Sequence, residues 1–218
     1  MHRPMTTLDF LDRGVSLYGD AVGIIADDGT TYTYAEFGER VDRAAVALAD
    51  SGIGAGDRVG ILAPNTHYFL ELLFAANVLG AVSVPINYRL IADDYAYILG
   101  DCGASAVVVD TTLTEPIDAV RDVVPATTFI AAGPGPTPAD WQSYEDLLAA
   151  ADPAAVVRAD VAETDVATIN YTSGTTSDPK GVVRTHRTEH YHALITAHHT
   201  EILATIGSPL VLIDGPPG

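Results

Sequence analysis

The sequence predicts an α/β protein built on a mostly parallel sheet with flanking helices. Short apolar runs of strand character alternate with segments of helical periodicity, and this alternation is typical of βαβ units. The 218 residues are 48% hydrophobic and 18% charged, which is the composition of a globular chain with enough length for a substantial core. The single cysteine, Cys102, excludes an internal disulfide and favours a reducing, cytoplasmic location.

Caps and breakers predict the elements in chain order. A hairpin is expected around residues 27–29, and Thr33 with Glu36 forms a capping box for a helix that stops at Gly52. Beyond it we expect strands at 58–62, 82–84, 106–109 and 127–131, and helices at 66–79, 91–102, 115–123 and 144–150. The apolar run 69–86 contains polar residues, glycine and proline, so it predicts a core helix and a strand rather than a membrane span.

The last part of the chain is predicted as strand, loop, strand and helix. The strands cover 166–171 and 181–184, and the helix covers 186–202. Helical spacing places an apolar stripe on that helix, formed by Tyr191, Leu194, Ile195, His198 and Ile202.

Lys180 is the only lysine in the chain, and it lies in a loop rich in hydroxyl groups and glycine. Its ammonium group can reach a phosphate, while Gly174 and Gly181 allow backbone N–H groups to approach closely. The loop hydroxyls can bond phosphate oxygens or ligate Mg²⁺. They belong to Thr172, Ser173, Thr175, Thr176 and Ser177. The composition therefore predicts a phosphate-binding loop over residues 171–181.

Two other interpretations of the loop are weaker. Gly174 and Lys180 have the separation of the Walker pattern, but Pro179 and Gly181 replace its second glycine and its metal-binding hydroxyl, which disfavours a generic NTPase. A plain polar surface turn would also contain Ser, Thr, Asp and Pro. It would not explain why the one lysine of the chain lies there.

Charge limits the classes of partner. The formal net charge of −18 argues against a nucleic-acid partner, because binding to a phosphate backbone needs a basic face. Aspartate and arginine dominate the charged residues, which suits either adaptation to high salt or a GC-rich genome. Lys180, Arg184 and Arg187 lie within eight residues, and we expect a positive island there, with Arg187 on the opposite face of the strand from the other two.

A competing zinc motif follows the loop. His186-Arg-Thr-Glu-His190 matches the His-x-x-Glu-His pattern of some zinc metalloproteases, with His186, Glu189 and His190 as the site. Catalysis would need a third ligand, and few carboxylates follow the motif in the chain. Because short patterns arise by chance, this interpretation is the remote alternative.

The string YTSGTTSDPKG at 171–181 resembles the signature loop of the AMP-forming adenylate synthetases, which include acyl-CoA synthetases and luciferases. Only Ser177 departs from that pattern, where glycine is usual and where serine resembles some fatty-acyl members. Segments 31–37, 56–62 and 80–90 extend the resemblance, which runs to about residue 202. Thr-His-Arg after the loop fits it as well.

The resemblance implies an N-terminal part of the large domain over residues 1–202, an atypical tail at 203–218 and an absent C-terminal domain. It implies that a carboxylate and ATP give an acyl-adenylate, followed by thioester formation with coenzyme A. The residues that would hold the phosphates are Thr172, Ser173, Gly174, Thr175, Thr176 and Lys180, with Thr172 or Thr176 on Mg²⁺. A fatty acid is the expected substrate class.

The resemblance also bears on activity. No complete catalytic set matches the family pattern within this sequence, so we expect the isolated chain to be inactive. The alternative is a non-catalytic nucleotide-binding remnant, or the partner of a separate C-terminal chain.

Overall fold

The computed structural model describes residues 4–26, 28–172 and 178–205, with residues 197–205 as helical backbone. The strands are β1 (Val22–Ile25), β2 (Thr31–Thr33), β3 (Arg58–Leu62), β4 (Val82–Pro85), β5 (Ala106–Asp110), β6 (Thr128–Ala132), β7 (Gln142–Ser143), β8 (Val166–Thr172) and β9 (Lys180–Thr185). The helices are α1 (Leu8–Tyr18), α2 (Tyr34–Asp50), α3 (His67–Val78), α4 (Ala92–Cys102), α5 (Thr114–Asp118), α6 (Tyr144–Ala150) and α7 (His186–Thr205).

The strands β3 to β9 form one sheet in the order β7-β6-β5-β3-β4-β8-β9, while β1 and β2 form a separate antiparallel hairpin. All neighbours in the large sheet are parallel except β8 and β9. From β3 the chain first adds β4 on one side and then returns to add β5 on the other. The sheet is therefore doubly wound, with its switch point between β3 and β5. The predicted fold class is confirmed.

Helices cover both faces of the central strands, and β5 shows how the core divides. Ala106 and Val108 pack in the cluster formed with α1, α2, α3 and α6, whereas Val107 and Val109 pack in the cluster formed with α4 and α5. Successive strand side chains point to opposite faces, so a continuous apolar run fills both layers. This explains why these strands could be predicted from apolar runs rather than from alternation.

The helix starts follow the predicted caps. The hydroxyl of Thr33 accepts from the backbone N–H of Glu36 at 3.2 Å, and the Glu36 carboxylate accepts from the N–H of Thr33 at 2.8 Å. The hydroxyl of Thr66 caps α3 in the same way by accepting from the N–H of Phe69 at 3.3 Å. Each cap satisfies a backbone donor that the first helical turn leaves without a partner.

The structure differs from the sequence predictions in several elements. Helix α1 was not predicted, although Leu8 and Leu11 are buried. Helix α5 ends at Asp118 rather than at residue 123, and turns follow it. Arg187 lies in α7 and not on a strand face. Helix α7 also continues to Thr205, past the predicted boundary at 202, while residues 206–218 lie outside the described part of the chain.

The described part of the predicted apolar stripe on α7 is not buried, while the side chains of His198 and Ile202 lie outside the described residues. Tyr191, Leu194 and Ile195 are 50%, 46% and 62% exposed, respectively, whereas the first residue of the helix, His186, is 1% exposed. Helical spacing correctly predicted the helix, but it could not identify the surface that lies opposite its apolar stripe. Within the described residues, no helix combines the length and the hydropathy needed to cross a bilayer.

Candidate functional site

The predicted phosphate loop connects the two antiparallel strands at the edge of the sheet. Thr172 is the last residue of β8 and Lys180 the first of β9, and the two are directly opposite each other in the register. Both are exposed. Of the predicted phosphate-binding residues, the structure therefore brings together the two that flank the loop. The other four, Ser173, Gly174, Thr175 and Thr176, lie outside the described residues.

One cross-strand pair packs beneath the loop. Tyr171 is opposite Gly181, and a β-carbon added to Gly181 would lie 3.1 Å from Cζ of the Tyr171 ring and 3.0 Å from the side chain of Ile169. The glycine therefore provides the space into which the ring packs. The Tyr171 hydroxyl donates to the carboxylate of Asp101 on α4, and burial together with this carboxylate raises the tyrosine pKa. The strand residues next to the loop are thus held against α4.

The predicted positive island is wrong, because two of its three cations are neutralised. Nε of Arg184 lies 3.1 Å from the carboxylate of Glu189, and Arg187 pairs with Glu163 at 3.2 Å. The prediction rested on the absence of carboxylates between residues 180 and 187, whereas Glu189 follows just after that segment and Glu163 lies 24 residues before Arg187. For Lys180, no ion pair with a carboxylate is found among the described residues. The lysine remains the positive group beside the loop.

The residues of the zinc alternative each have separate partners. His190 stacks on Phe10 with ring centroids 4.5 Å apart, and its Nδ1 lies 3.1 Å from the carbonyl oxygen of Thr6. Glu189 accepts from the hydroxyl of Thr168 at 2.8 Å and pairs with Arg184. Within the described ranges, no three His, Cys, Asp or Glu side chains lie together as a metal site. The geometry therefore does not favour the metalloprotease interpretation.

His186 instead belongs to a buried polar network that positions the hairpin. The N–H of Thr7 donates to Nδ1 of His186 at 3.4 Å, and the Thr7 hydroxyl donates to the side chain of Asn77 at 2.7 Å. The amide of Asn77 in turn donates to the carbonyl of Ala167 at 3.0 Å. These contacts link α1, α3, β8 and α7, and burial lowers the pKa of His186. One signal was present in the sequence, namely an asparagine inside a mostly apolar helix.

The sheet and its terminal hairpin define the class as the N-terminal domain of an AMP-binding ligase, since solved structures of that class share this arrangement. A model of the family of AMP-binding enzymes matches residues 11–208, and this chain belongs to that family. The predicted resemblance is thereby confirmed.

Named relatives are acyl-activating enzymes. The chain is 37% identical over 196 residues to the probable acyl-activating enzyme 5, peroxisomal, of Arabidopsis thaliana, covering 84% of this chain and 36% of the relative. It is 40% identical over 163 residues to the long-chain-fatty-acid–CoA ligase FadD13 of Mycobacterium tuberculosis, covering 72% of this chain and 30% of the relative.

Solved structures agree with this assignment. The anthranilate CoA ligase AuaEII in complex with anthranoyl-AMP superposes with a TM-score of 0.80 at 25% identity, covering 86% of this chain and 36% of that one. The N-terminal domain of FACL13 from Mycobacterium tuberculosis gives a TM-score of 0.75 at 34% identity, covering 84% and 45%. The chain thus spans about a third of the curated relatives, in their N-terminal part. The acyl-CoA ligases of this family use ATP and coenzyme A.

Proposed function

We propose that this chain forms the part of an AMP-forming acyl-CoA synthetase that binds the phosphates of ATP. The observation that carries the proposal is the pairing of Thr172 with Lys180 across the mouth of the 171–181 loop. A hydroxyl and an ammonium group on facing residues can grip one polyphosphate from two sides. The reaction would join a carboxylate to the adenylate, release pyrophosphate and then form the coenzyme A thioester.

The loop would act by electrostatics rather than by covalent chemistry. Lys180 would neutralise charge on the β- and γ-phosphates and orient the pyrophosphate as it leaves. Mg²⁺ prefers oxygen ligands, and the exposed Thr172 hydroxyl is of the right type. Thr172 or Thr176 is therefore the proposed magnesium residue, and bound Mg²⁺ would screen the phosphate charges.

Further polypeptide is needed to complete the proposed active site. Val182 and Val183 on β9 are 45% and 58% exposed, and the apolar residues Leu194 and Ile195 of α7 are exposed as well. An open edge strand beside an apolar helix face favours packing against more protein. We propose that the additional polypeptide supplies the groups that bind ribose, adenine and the acyl chain. It would belong either to the same chain or to a separate one. Alone, the 218 residues are then a nucleotide-binding unit without catalysis.

The acyl group is proposed to be a fatty acid, by resemblance at Ser177 and over residues 82–90. Support is divided, because the similar proteins include both a long-chain-fatty-acid–CoA ligase and an anthranilate CoA ligase. A cytoplasmic location is proposed from the single cysteine. The excess of aspartate is proposed as salt adaptation.

Calorimetric titration of the chain with Mg·ATP and with AMP tests the phosphate assignment. Lys180→Ala removes a charged partner of the β- and γ-phosphates, worth roughly 1.5–3 kcal/mol, so ATP affinity should fall about 10- to 100-fold. AMP lacks those phosphates, so its titration should give the same result with wild type and with Lys180→Ala. Arg13→Ala, which removes an exposed cation from α1, is the matched control. Equal ATP affinities of wild type and Lys180→Ala would contradict the proposal.

Carboxylate-dependent exchange between ATP and pyrophosphate tests completeness. In-line attack needs charge stabilisation from several sides at once, and loss of groups that act as a unit removes nearly all of the rate enhancement. We expect no exchange above background from the isolated chain with palmitate or benzoate. Exchange that is lost with Lys180→Ala would instead show a complete active site within these residues.

A further inference from the structure

A cavity of about 510 Å³ lies at the carboxyl edge of the sheet, away from the 171–181 loop. It extends across the ends of β3, β5 and β6, where Pro64, Asp110 and Gly133 line it. The hairpin β1–β2 contributes Tyr32, and α6 contributes Glu145. We call it the switch-point cavity, because β3 and β5 are the strands between which the winding of the sheet reverses.

The position of this cavity is the first argument for a binding site. In open α/β sheets, ligands bind outside the carboxyl ends of the strands at the switch point, since the connections there diverge and leave a crevice. The registers of β3 with β5 and of β5 with β6 are parallel and without shift, so the three strand ends lie side by side. The proposed function uses the other end of the sheet order, at β8 and β9, and leaves this crevice unassigned.

The floor of the cavity is built tightly around one carboxylate. Asp110 is 4% exposed, accepts from the backbone N–H of Thr112 at 2.8 Å and also accepts from the hydroxyl of Tyr68. Gly133 has a φ of +112°, and a β-carbon there would lie 3.1 Å from the carboxylate oxygen of Asp110. A glycine at this point lets the end of β6 approach the floor.

The charge of the lining is negative. Asp28 accepts from the backbone N–H of Thr30 at 2.8 Å, which lowers its pKa, so its carboxylate is ionised at neutral pH. Asp110 adds a second carboxylate, and Glu145 is paired with Arg40 at 2.7 Å. Among the described residues, neither lysine nor arginine lines the cavity. An anionic ligand such as a nucleotide or a free fatty acid is therefore disfavoured here, because like charges repel.

Aromatic rings form one wall beside these carboxylates. Tyr32 and His67 have ring centroids 5.1 Å apart, and His67 meets Tyr68 edge to face at 5.2 Å. Ring faces attract cations, and the Arg40 guanidinium already lies 5.3 Å from the centroid of the Tyr32 ring. Quaternary ammonium ions suit such walls, because they cost less to remove from water than compact cations do. Carboxylates together with aromatic faces are a combination that suits an organic ammonium ion better than a hydrated metal ion, since Mg²⁺ and Ca²⁺ prefer a shell made of oxygen alone.

We infer that the switch-point cavity binds a small organic ammonium ion. The cation lies against the ring wall, with Asp28 at the mouth and Asp110 beneath it. Such a ligand would bind independently of ATP, because its site and the 171–181 loop are separated in the sheet order by β4.

Titration calorimetry on the 218-residue chain tests this inference with choline chloride as the probe. Its neutral isostere, 3,3-dimethyl-1-butanol, has the same shape without the charge. We expect saturable choline binding with a dissociation constant of about 1 mM, and binding of the alcohol at least about 10-fold weaker. Asp28→Asn should weaken choline about 5-fold, since it removes one charge near the ligand. Asp93→Asn makes the same charge change at an exposed site on α4 and should leave the affinity unchanged.

Several outcomes would overturn the inference. Absence of saturation, or equal affinity for choline and the alcohol, would show that no cation site exists. Equal weakening by Asp28→Asn and Asp93→Asn would show only the effect of net charge. Displacement of choline by Mg·ATP, with loss of that displacement in Lys180→Ala, would place choline in the nucleotide site instead. The thermal midpoints of both variants serve as the folding control. If they lie within about 2 °C of wild type, a difference in choline affinity is not caused by unfolding.

Discussion

The central parallel strands and the terminal β8–β9 hairpin with α7 differ sharply in how they are covered. Ile61 on β3 and Val107 on β5 are fully buried between helices, whereas Val183 on β9 and Ile195 on α7 are about 60% exposed. The first region closes its core with its own crossover helices. The second carries the proposed phosphate loop and exposes apolar residues, so it is the region for which we propose contact with further protein.

The physical reason for this difference is topological. A parallel connection must pass over one face of the sheet, and each crossover helix buries that face. An antiparallel hairpin needs only a loop, so among the described residues no crossover helix lies between β8 and β9. The hairpin is nevertheless held at its base by Tyr171 and by the network around His186.

The largest expected effect comes from an ion pair buried in the first region. Glu71 is fully buried and accepts from Arg40 at 2.6 Å and from the hydroxyl of Tyr144 at 2.8 Å. Arg40→Met would leave that carboxylate without its cation, and we expect a loss of about 3–5 kcal/mol in the free energy of unfolding, measured with urea. Arg184→Met breaks the corresponding pair of the hairpin region, which is partly exposed, and should cost about 1 kcal/mol or less. Equal losses would remove the distinction between the regions.

A second pair of variants compares apolar burial directly. Ile61→Ala opens a cavity in a fully buried layer and should cost about 2–4 kcal/mol. Val183→Ala on β9 removes methyl groups that are already largely exposed, and the loss should stay within about 0.5 kcal/mol. The urea midpoints of the two variants provide the measurement. A loss above about 2 kcal/mol for Val183→Ala would mean that the face of β9 is covered within the isolated chain.

The smallest effect concerns pH at the base of the hairpin. Burial lowers the folded-state pKa of His186, so its contribution to stability is complete above the unfolded value of about 6.5. It is lost as pH falls through that value toward the folded pKa, because the unfolded chain binds the proton first. Between pH 7 and 5, wild type should lose about 1 kcal/mol more than His186→Asn. His192→Asn, at an exposed position on α7, should keep the wild-type slope, and a wild-type slope in His186→Asn would contradict the assignment.

Local signals were sufficient for most of the fold and for the frame of the candidate site. The strand at 58–62, the helix at 144–150 and the Thr33–Glu36 capping box were predicted as the structure has them. Each depends on neighbours within a few residues, or on an apolar run that can only be buried. The loop was predicted from its lone lysine and its hydroxyls, and the opposition of Thr172 and Lys180 follows once β8 and β9 pair.

Contacts between distant parts of the chain could not be predicted in this way. The partner of Arg187 lies 24 residues before it, Thr7 meets His186 across 179 residues, and Glu71 binds Arg40 and Tyr144 from two other helices. Periodicity determined that α7 is a helix with an apolar face, but burial depends on which surface lies opposite. The switch-point cavity likewise exists only because the sheet order brings the ends of β3, β5 and β6 together. Chemistry that depends on local spacing can be predicted from sequence, whereas charge pairing, burial and cavities arise from tertiary structure because they join residues that the chain itself keeps far apart.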